Sequence, residues 1–285
     1  MRLAFLLLTL PAFAQVTHQR LLNAAAEPQN WLTYSGNFAG HRFSPLSQIS
    51  DQNVAKLTPA WVYQSNSLQK FETTPLVADG VMYISEAPSN VTALDVRTGR
   101  VLWRYRRTMP ADIRVCCGQV NRGVALLGDM VYVGTIDAHL VALDARTGAV
   151  RWDVTVADNK TGHSITVAPL ALKDKVIIGI AGGEYGIRGF LDAYDARTGK
   201  LAWRFWTVPA AGDPEARTWA GDSYKRGSAA TWVTGAYDPD TNLVYWGTGN
   251  PGPDWNGEVR AGDNLYSDCL IALDADTGTL KWHFQ

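Results

Sequence analysis

Cys116 and Cys117 stand side by side in the segment Ile113-Arg114-Val115-Cys116-Cys117-Gly118-Gln119-Val120-Asn121-Arg122-Gly123. Oxidised to each other they would close an eight-membered ring, although neighbouring Cα atoms lie closer together than a disulfide prefers. Such a ring is compact, polarisable and flat. The residues alone leave other outcomes open: one cysteine buried and free, one paired with Cys269, or a thiol shuttle, a chemistry that usually spaces its cysteines by two residues. With three cysteines, at least one has no partner within the chain. A second candidate is Glu184, in Ala181-Gly182-Gly183-Glu184-Tyr185-Gly186. Glycines there let the backbone approach a ligand closely, and a carboxylate buried among them requires a counter-charge. The five histidines show no His-x-x-x-His spacing and the cysteines no Cys-x-x-Cys, so neither a zinc site nor c-type haem has local support.

A repeat supplies the elements that must hold these groups. Ala93 to Trp103 has the form A-x-D-x-x-x-G-x-x-x-W, which returns at Ala142 to Trp152, Ala193 to Trp203 and Ala272 to Trp282. A weaker copy, Ala236 to Trp246, has Asn242 in the glycine place. The form predicts two strands joined by a tight turn, in which the aspartate accepts backbone N–H bonds and the glycine supplies a positive φ. Another strand pair precedes each copy, as in Pro75 to Ala78 and Val81 to Ile84 across Asp79-Gly80, a favoured hairpin turn. That makes about four strands per repeat, the blade of a β-propeller, with the recurring tryptophan packed between blades. Trp61, Trp103, Trp152, Trp203 and Trp282 are 42, 49, 51 and 79 residues apart, so the last interval implies a blade with an insertion. Pro209 to Thr231 reads as a long loop, and residues 15–30 as a short helix or strap. The fold class is all-β.

The first residues, Met1 to Gln15, combine a basic start, a short apolar run and a small-x-small site. They predict a secretory signal over residues 1–14, cleaved after Ala14, and so an exported propeller chain over 15–285. No segment is long enough to cross a bilayer, so a transmembrane protein is not expected. The formal net charge of −1 becomes about −2 once Arg2 leaves with the leader, which argues against nucleic acid as a partner.

Taken together, Cys116-Cys117, Val120-Asn121-Arg122-Gly123, Glu72-Thr73-Thr74-Pro75, Thr166-Val167-Ala168-Pro169, Gly182-Gly183-Glu184 with Arg188-Gly189, and Gly247-Thr248-Gly249-Asn250-Pro251 set among Trp-docking repeats resemble the quinoprotein alcohol dehydrogenases, which use pyrroloquinoline quinone (PQQ). The resemblance covers essentially the whole mature chain. It implies a vicinal disulfide, Cys116–Cys117, on one face of the quinone and Trp232 on the other. It implies Arg122 near the reactive carbonyl, Thr166 as a hydroxyl donor, Glu72 at the rim, and Gly182 and Gly183 against the cofactor. Glu184 and Asn250 would ligate a metal, and these oxygen donors suit calcium, with a lanthanide as the other possibility. The metal would polarise the quinone carbonyl that accepts hydride from the alcohol carbon. Several members have serine where this chain has Ala181.

By the same resemblance, the family's catalytic aspartate would lie beyond Gln285, so no catalytic residue is assigned within the chain, and the isolated piece is expected to be inactive. About half of an eight-bladed ring would be present, with open edges that favour association into a homo-oligomer. The expected reaction is oxidation of a primary alcohol to an aldehyde, with electrons passed to a c-type cytochrome. A second reading is a non-catalytic periplasmic propeller scaffold, similar to the outer-membrane assembly lipoproteins. Such scaffolds do not need Cys-Cys, Gly-Gly-Glu or Gly-Thr-Gly-Asn, and the leader has no lipobox cysteine.

Overall fold

The computed structural model describes residues 15–285, so the leader expected over 1–14 lies outside the described residues. Sixteen strands form four separate antiparallel sheets, each made of four strands consecutive in sequence. The first blade holds β1 (Leu76–Ala78), β2 (Val81–Glu86), β3 (Asn90–Asp95) and β4 (Val101–Tyr105). The second holds β5 (Ala125–Leu127), β6 (Met130–Gly134), β7 (His139–Asp144) and β8 (Val150–Thr155). The third holds β9 (Leu170–Leu172), β10 (Lys175–Gly179), β11 (Phe190–Asp195) and β12 (Leu201–Trp206). The fourth holds β13 (Ala236–Asp238), β14 (Leu243–Gly247), β15 (Leu270–Asp274) and β16 (Leu280–Phe284). Each sheet is a β-propeller blade, as the repeats predict.

Each full copy of the repeat is the outer hairpin of a blade. Asp144 Oδ1 accepts from Thr147 N at 2.8 Å, and Asp95, Asp195 and Asp274 accept in the same way from Thr98, Thr198 and Thr277. The glycine has two duties. Gly148 takes φ +73°, and a Cβ there would stand 2.5 Å from the ring of Trp103. Trp103 in turn donates its indole N–H to Ala145 O at 3.0 Å. The same bond joins Trp61 to Val96, Trp152 to Ala196 and Trp203 to Ala275. One blade's tryptophan is therefore seated on the next blade's Asp-Gly turn. Trp282, in β16, is 42% exposed.

The weaker copy is a correction. Ala236 to Trp246 spans β13 and β14, the inner hairpin of the fourth blade, and Trp246 is fully buried with its N–H on Thr231 O. Asn242 adopts φ +57°, so the side-chain amide tolerates the left-handed turn where glycine stands elsewhere. The 79-residue interval is filled by irregular chain before β13 and between β14 and β15. Pro209 to Thr231 is not a plain loop. It carries 3₁₀ turns at Pro214–Thr218 and Ser223–Arg226, and Val208, Trp219 and Ala229 bury a small core of their own.

Residues 15–38 form a strap over all four blades, opened by a short helix α1 (His18–Leu22). Val16 pairs with Gly128, Trp31 with Val77, the Lys173 amide donates to His18 Nδ1 at 3.0 Å, and the Tyr237 amide donates to Phe38 O at 2.9 Å. Among the described residues no helix is long and apolar enough to cross a membrane.

Candidate functional site

The residues singled out by their chemistry sit at the end of the inner strands away from the strap. Glu72, Arg122, Thr166 and Trp232 each lie three or four residues ahead of β1, β5, β9 and β13. They hold corresponding places in successive blades. The segments that carry them are joined directly: Thr74 N donates to Arg122 O at 2.9 Å, and Arg122 N donates to Thr166 O at 3.1 Å. Two further loops follow the second strand of a blade. One leads from β10 to Gly182-Gly183-Glu184, the other from β14 to Asn250.

These loops enclose a cavity of about 240 Å³. It is lined by Cys116, Cys117, Arg122, Thr166, Gly182, Gly183, Glu184, Trp232 and Asn250, together with Val120, Ser164, Ala181, Ser228 and Ala230. The two cysteines are bonded to each other, and Cys269 is free and buried, which settles the alternatives left by the sequence. Burial pushes the Cys269 thiol up to about 11. Cys117 adopts φ +65°, and its carbonyl accepts from Lys70 Nζ at 3.0 Å. Asn159 anchors the start of the same loop by exchanging bonds with the Arg114 backbone at 3.0 and 2.9 Å.

Arg122 is the charged centre. Its guanidinium meets Glu72 Oε2 at 3.0 Å and donates to Thr166 O at 3.3 Å, and its Cζ lies 5.0 Å from the centre of the Trp232 ring. A planar guanidinium can serve all three because its donors lie in one plane and its face is free to stack. Glu72 is not among the side chains that line the cavity; it meets Arg122, which is.

Glu184 is exposed, which corrects the expectation of a buried carboxylate. The turn Gly183–Tyr185 that carries it sits at the cavity rim. Its carboxylate and the Cys116 and Cys117 sulfurs lie within 4.8 Å of one another. Sulfurs already joined as a disulfide are not thiolate ligands, so the oxygen donors remain the ones suited to a metal. Asn250 is also exposed. Its Nδ2 donates to Asp254 Oδ1 at 2.7 Å and to Pro251 O at 3.4 Å, while its backbone carbonyl accepts from Ala229 N at 3.1 Å.

Sequence reasoning missed Ser164 and Ser228 as lining residues. Ser164 was detectable, because it lies two residues before Thr166 in an extended segment and so shares its face. Ser228 was not: it has φ +60° within Gly227-Ser228-Ala229-Ala230 and bridges to Arg188 and Pro251, contacts remote in sequence. A second cavity of about 680 Å³ shares Gly183 and Glu184 with the first and is walled by Pro253, Trp255 and Val259.

The fold and this cavity define a class. Residues 31–285 match the family model described as PQQ, the glucose/ethanol/alcohol dehydrogenase β-propeller domain. The chain is 43% identical to quinoprotein alcohol dehydrogenase PedH of Pseudomonas putida, over 99% of this chain and 50% of that protein. It is 48% identical to quinohemoprotein alcohol dehydrogenase ADH IIB of Pseudomonas putida, over 90% of this chain and 39% of that protein. Among solved structures, a europium-containing methanol dehydrogenase superposes with a TM-score of 0.87 at 35% identity, covering 94% of this chain and 50% of the other. The chain belongs to the PQQ-dependent alcohol dehydrogenase family. It spans half or less of the length of these relatives.

Proposed function

We propose that this chain supplies the cofactor cradle of a periplasmic PQQ-dependent alcohol dehydrogenase, which oxidises a primary alcohol to an aldehyde and passes the electrons to a c-type cytochrome. The observation that carries the reading is the meeting of the Cys116–Cys117 disulfide, Trp232, Arg122, Glu184 and Asn250 on one cavity. The donor set fits the group. A disulfide and an indole offer flat, polarisable surfaces for a planar ring, Arg122 offers directional cationic donors to its oxygens, and Glu184 with Asn250 offers a carboxylate and an amide oxygen to a hard cation, calcium or a lanthanide.

In this reading Arg122, steadied by Glu72 and the Thr166 carbonyl, would hold the ring by its oxygens with directional cationic donors. Thr166 would lend a hydroxyl at the edge, and the backbone at Gly182 and Gly183, where a Cβ would stand 2.0 Å from Gly162 O and Ser228 Oγ respectively, would form part of the wall. Glu184 and Asn250 hold the cation, and the quinone, when bound, supplies the hydride acceptor. The alcohol approaches through the larger cavity next to Glu184, where Trp255 and Val259 offer apolar contact. Glu184 is the one carboxylate among the described residues lining the smaller cavity, and its proposed duty is to the cation.

The test is reconstitution of the full-length protein with PQQ and either calcium or a lanthanide, followed by dye-linked oxidation of a panel of primary alcohols. Stoichiometric uptake of the quinone and metal-dependent turnover are expected. An Arg122→Lys variant should take up the quinone at least ~10-fold more weakly, because a point charge replaces the planar fork. Absence of quinone uptake by the metal-loaded wild type would overturn the proposal.

A further inference from the structure

Asn250 can place a ligand oxygen toward a cation only if its amide faces one way. The two ends of an amide are nearly the same size, and only the hydrogen bonds around them decide which end points where. Here both neighbours are acceptors and nothing else. A carboxylate accepts through its oxygens, and the Pro251 carbonyl has no proton to donate. The atom facing them must therefore be Nδ2, which lies 2.7 Å from Asp254 Oδ1 and 3.4 Å from Pro251 O. Oδ1 is turned the other way. The loop itself is pinned by the bond from Ala229 N to the Asn250 carbonyl at 3.1 Å, so the side-chain bond acts on the amide and not on the backbone path.

We infer that Asp254 is a positioning residue, which locks the Asn250 amide with its oxygen presented as a cation ligand. The inference rests on the reading of Glu184 and Asn250 as cation ligands. Asp254 lies four residues beyond Asn250 and lines the larger cavity beside Glu184, whereas Asn250 lines the smaller one. It therefore reaches Asn250 from the side of the larger cavity, as a carboxylate bonded to a metal ligand commonly does. The charge-assisted bond also draws electron density toward the amide oxygen, which raises its strength as a donor to a hard cation. Asp254 exerts this role through the Asn250 amide.

The experiment uses the full-length protein loaded with PQQ and stripped of metal, with calcium chloride titrated in and binding followed by calorimetry, a readout independent of turnover. Asp254→Ala should raise the half-saturating calcium concentration ~10–100-fold. Asp254→Asn should stay within ~3-fold of wild type, because its side-chain carbonyl can still accept from Nδ2. Thermal melting of both variants checks that the fold is intact. If Asp254→Ala binds calcium like wild type while Asn250→Ala is weakened more than ~10-fold, the positioning role is overturned and the cation site stands. Equal weakening by Asp254→Asn and Asp254→Ala would also overturn it, since charge and not orientation would then be the contribution. A wild type without saturable calcium binding would overturn the cation site as well.

Discussion

The Cys116–Cys117 bond closes within two residues, and its surroundings are polar and open. Cys117 is exposed, Lys70 holds its carbonyl, and Glu184 stands nearby. Cys269 is the opposite case, buried with its thiol pushed up to about 11 and donating to Ser267 O. At pH 8 it is almost wholly protonated and shielded, so it should resist alkylation in the native protein. Denaturation without reductant should expose one reactive thiol in this chain, and reduction three. Mass mapping should find the tryptic peptide Val115 to Arg122 unalkylated and ~2 Da lighter than its reduced form. A cross-link joining that peptide to the one bearing Cys269 would contradict the pairing. The pair's presence is plain in the sequence, but its partner is not: three cysteines left the pairing open until the fold put Cys269 in a different, buried environment.

The blade is held to its neighbour by a repeated joint, a tryptophan seated on an Asp-Gly turn. Its glycine combines a left-handed backbone with a lack of space, and the two costs can be separated. At Gly80, φ is +83° and a Cβ would meet nothing within 4 Å, so Gly80→Ala should cost only the backbone term, about 1–2 kcal/mol. At Gly148 the same term applies, and the added Cβ also meets the Trp103 ring at 2.5 Å, so Gly148→Ala should cost about 1–3 kcal/mol more. Trp103→Ala, which empties the joint, should cost about 3–5 kcal/mol. Urea unfolding of the full-length protein measures all three, and equal losses for the two glycine variants would show that seating contributes nothing. The turn's positive φ is readable from the repeat. The ring seated on it is not, because it belongs to a residue 45 positions earlier in the chain.

At the scale of the molecule, four sheets with separate hydrogen-bond ladders are tied together from both ends. The cavity end is joined through the backbones of Thr74, Arg122 and Thr166, and the other end by the strap over residues 15–38. His18 anchors the strap to the third blade with Nδ1 as acceptor, so that nitrogen must be unprotonated. Burial, reinforced by the Lys173 ammonium, holds the imidazole below its ordinary 6.5. The unfolded chain therefore takes up a proton before the folded one does. The strap's contribution is complete above pH 6.5 and is lost as pH falls through the lower folded value. Urea midpoints measured from pH 8 to 5 should fall toward acid, and His18→Asn, which keeps an acceptor without titrating, should flatten that decline. An unchanged slope in His18→Asn would place the acid sensitivity elsewhere.

Most of the residues that gather at the cavity were legible only through the resemblance to a family; local chemistry decided the hairpins and the Asp-Gly turns. Each depends on a few neighbours and leaves a short, repeated pattern. Three matters depended on residues far apart in the chain and were decided only by the fold. Glu184 is exposed, on a short turn at the rim of a cavity to which other blades contribute. Trp246 looks like a docking residue, but its hairpin is the inner one of its blade, where no neighbouring turn receives it. Ser228 enters the site because an insertion returns between Arg188 and Pro251. Sequence sets what each segment can form and which groups it carries; the packing of blades around a common axis sets which of those groups meet, and how much water reaches them.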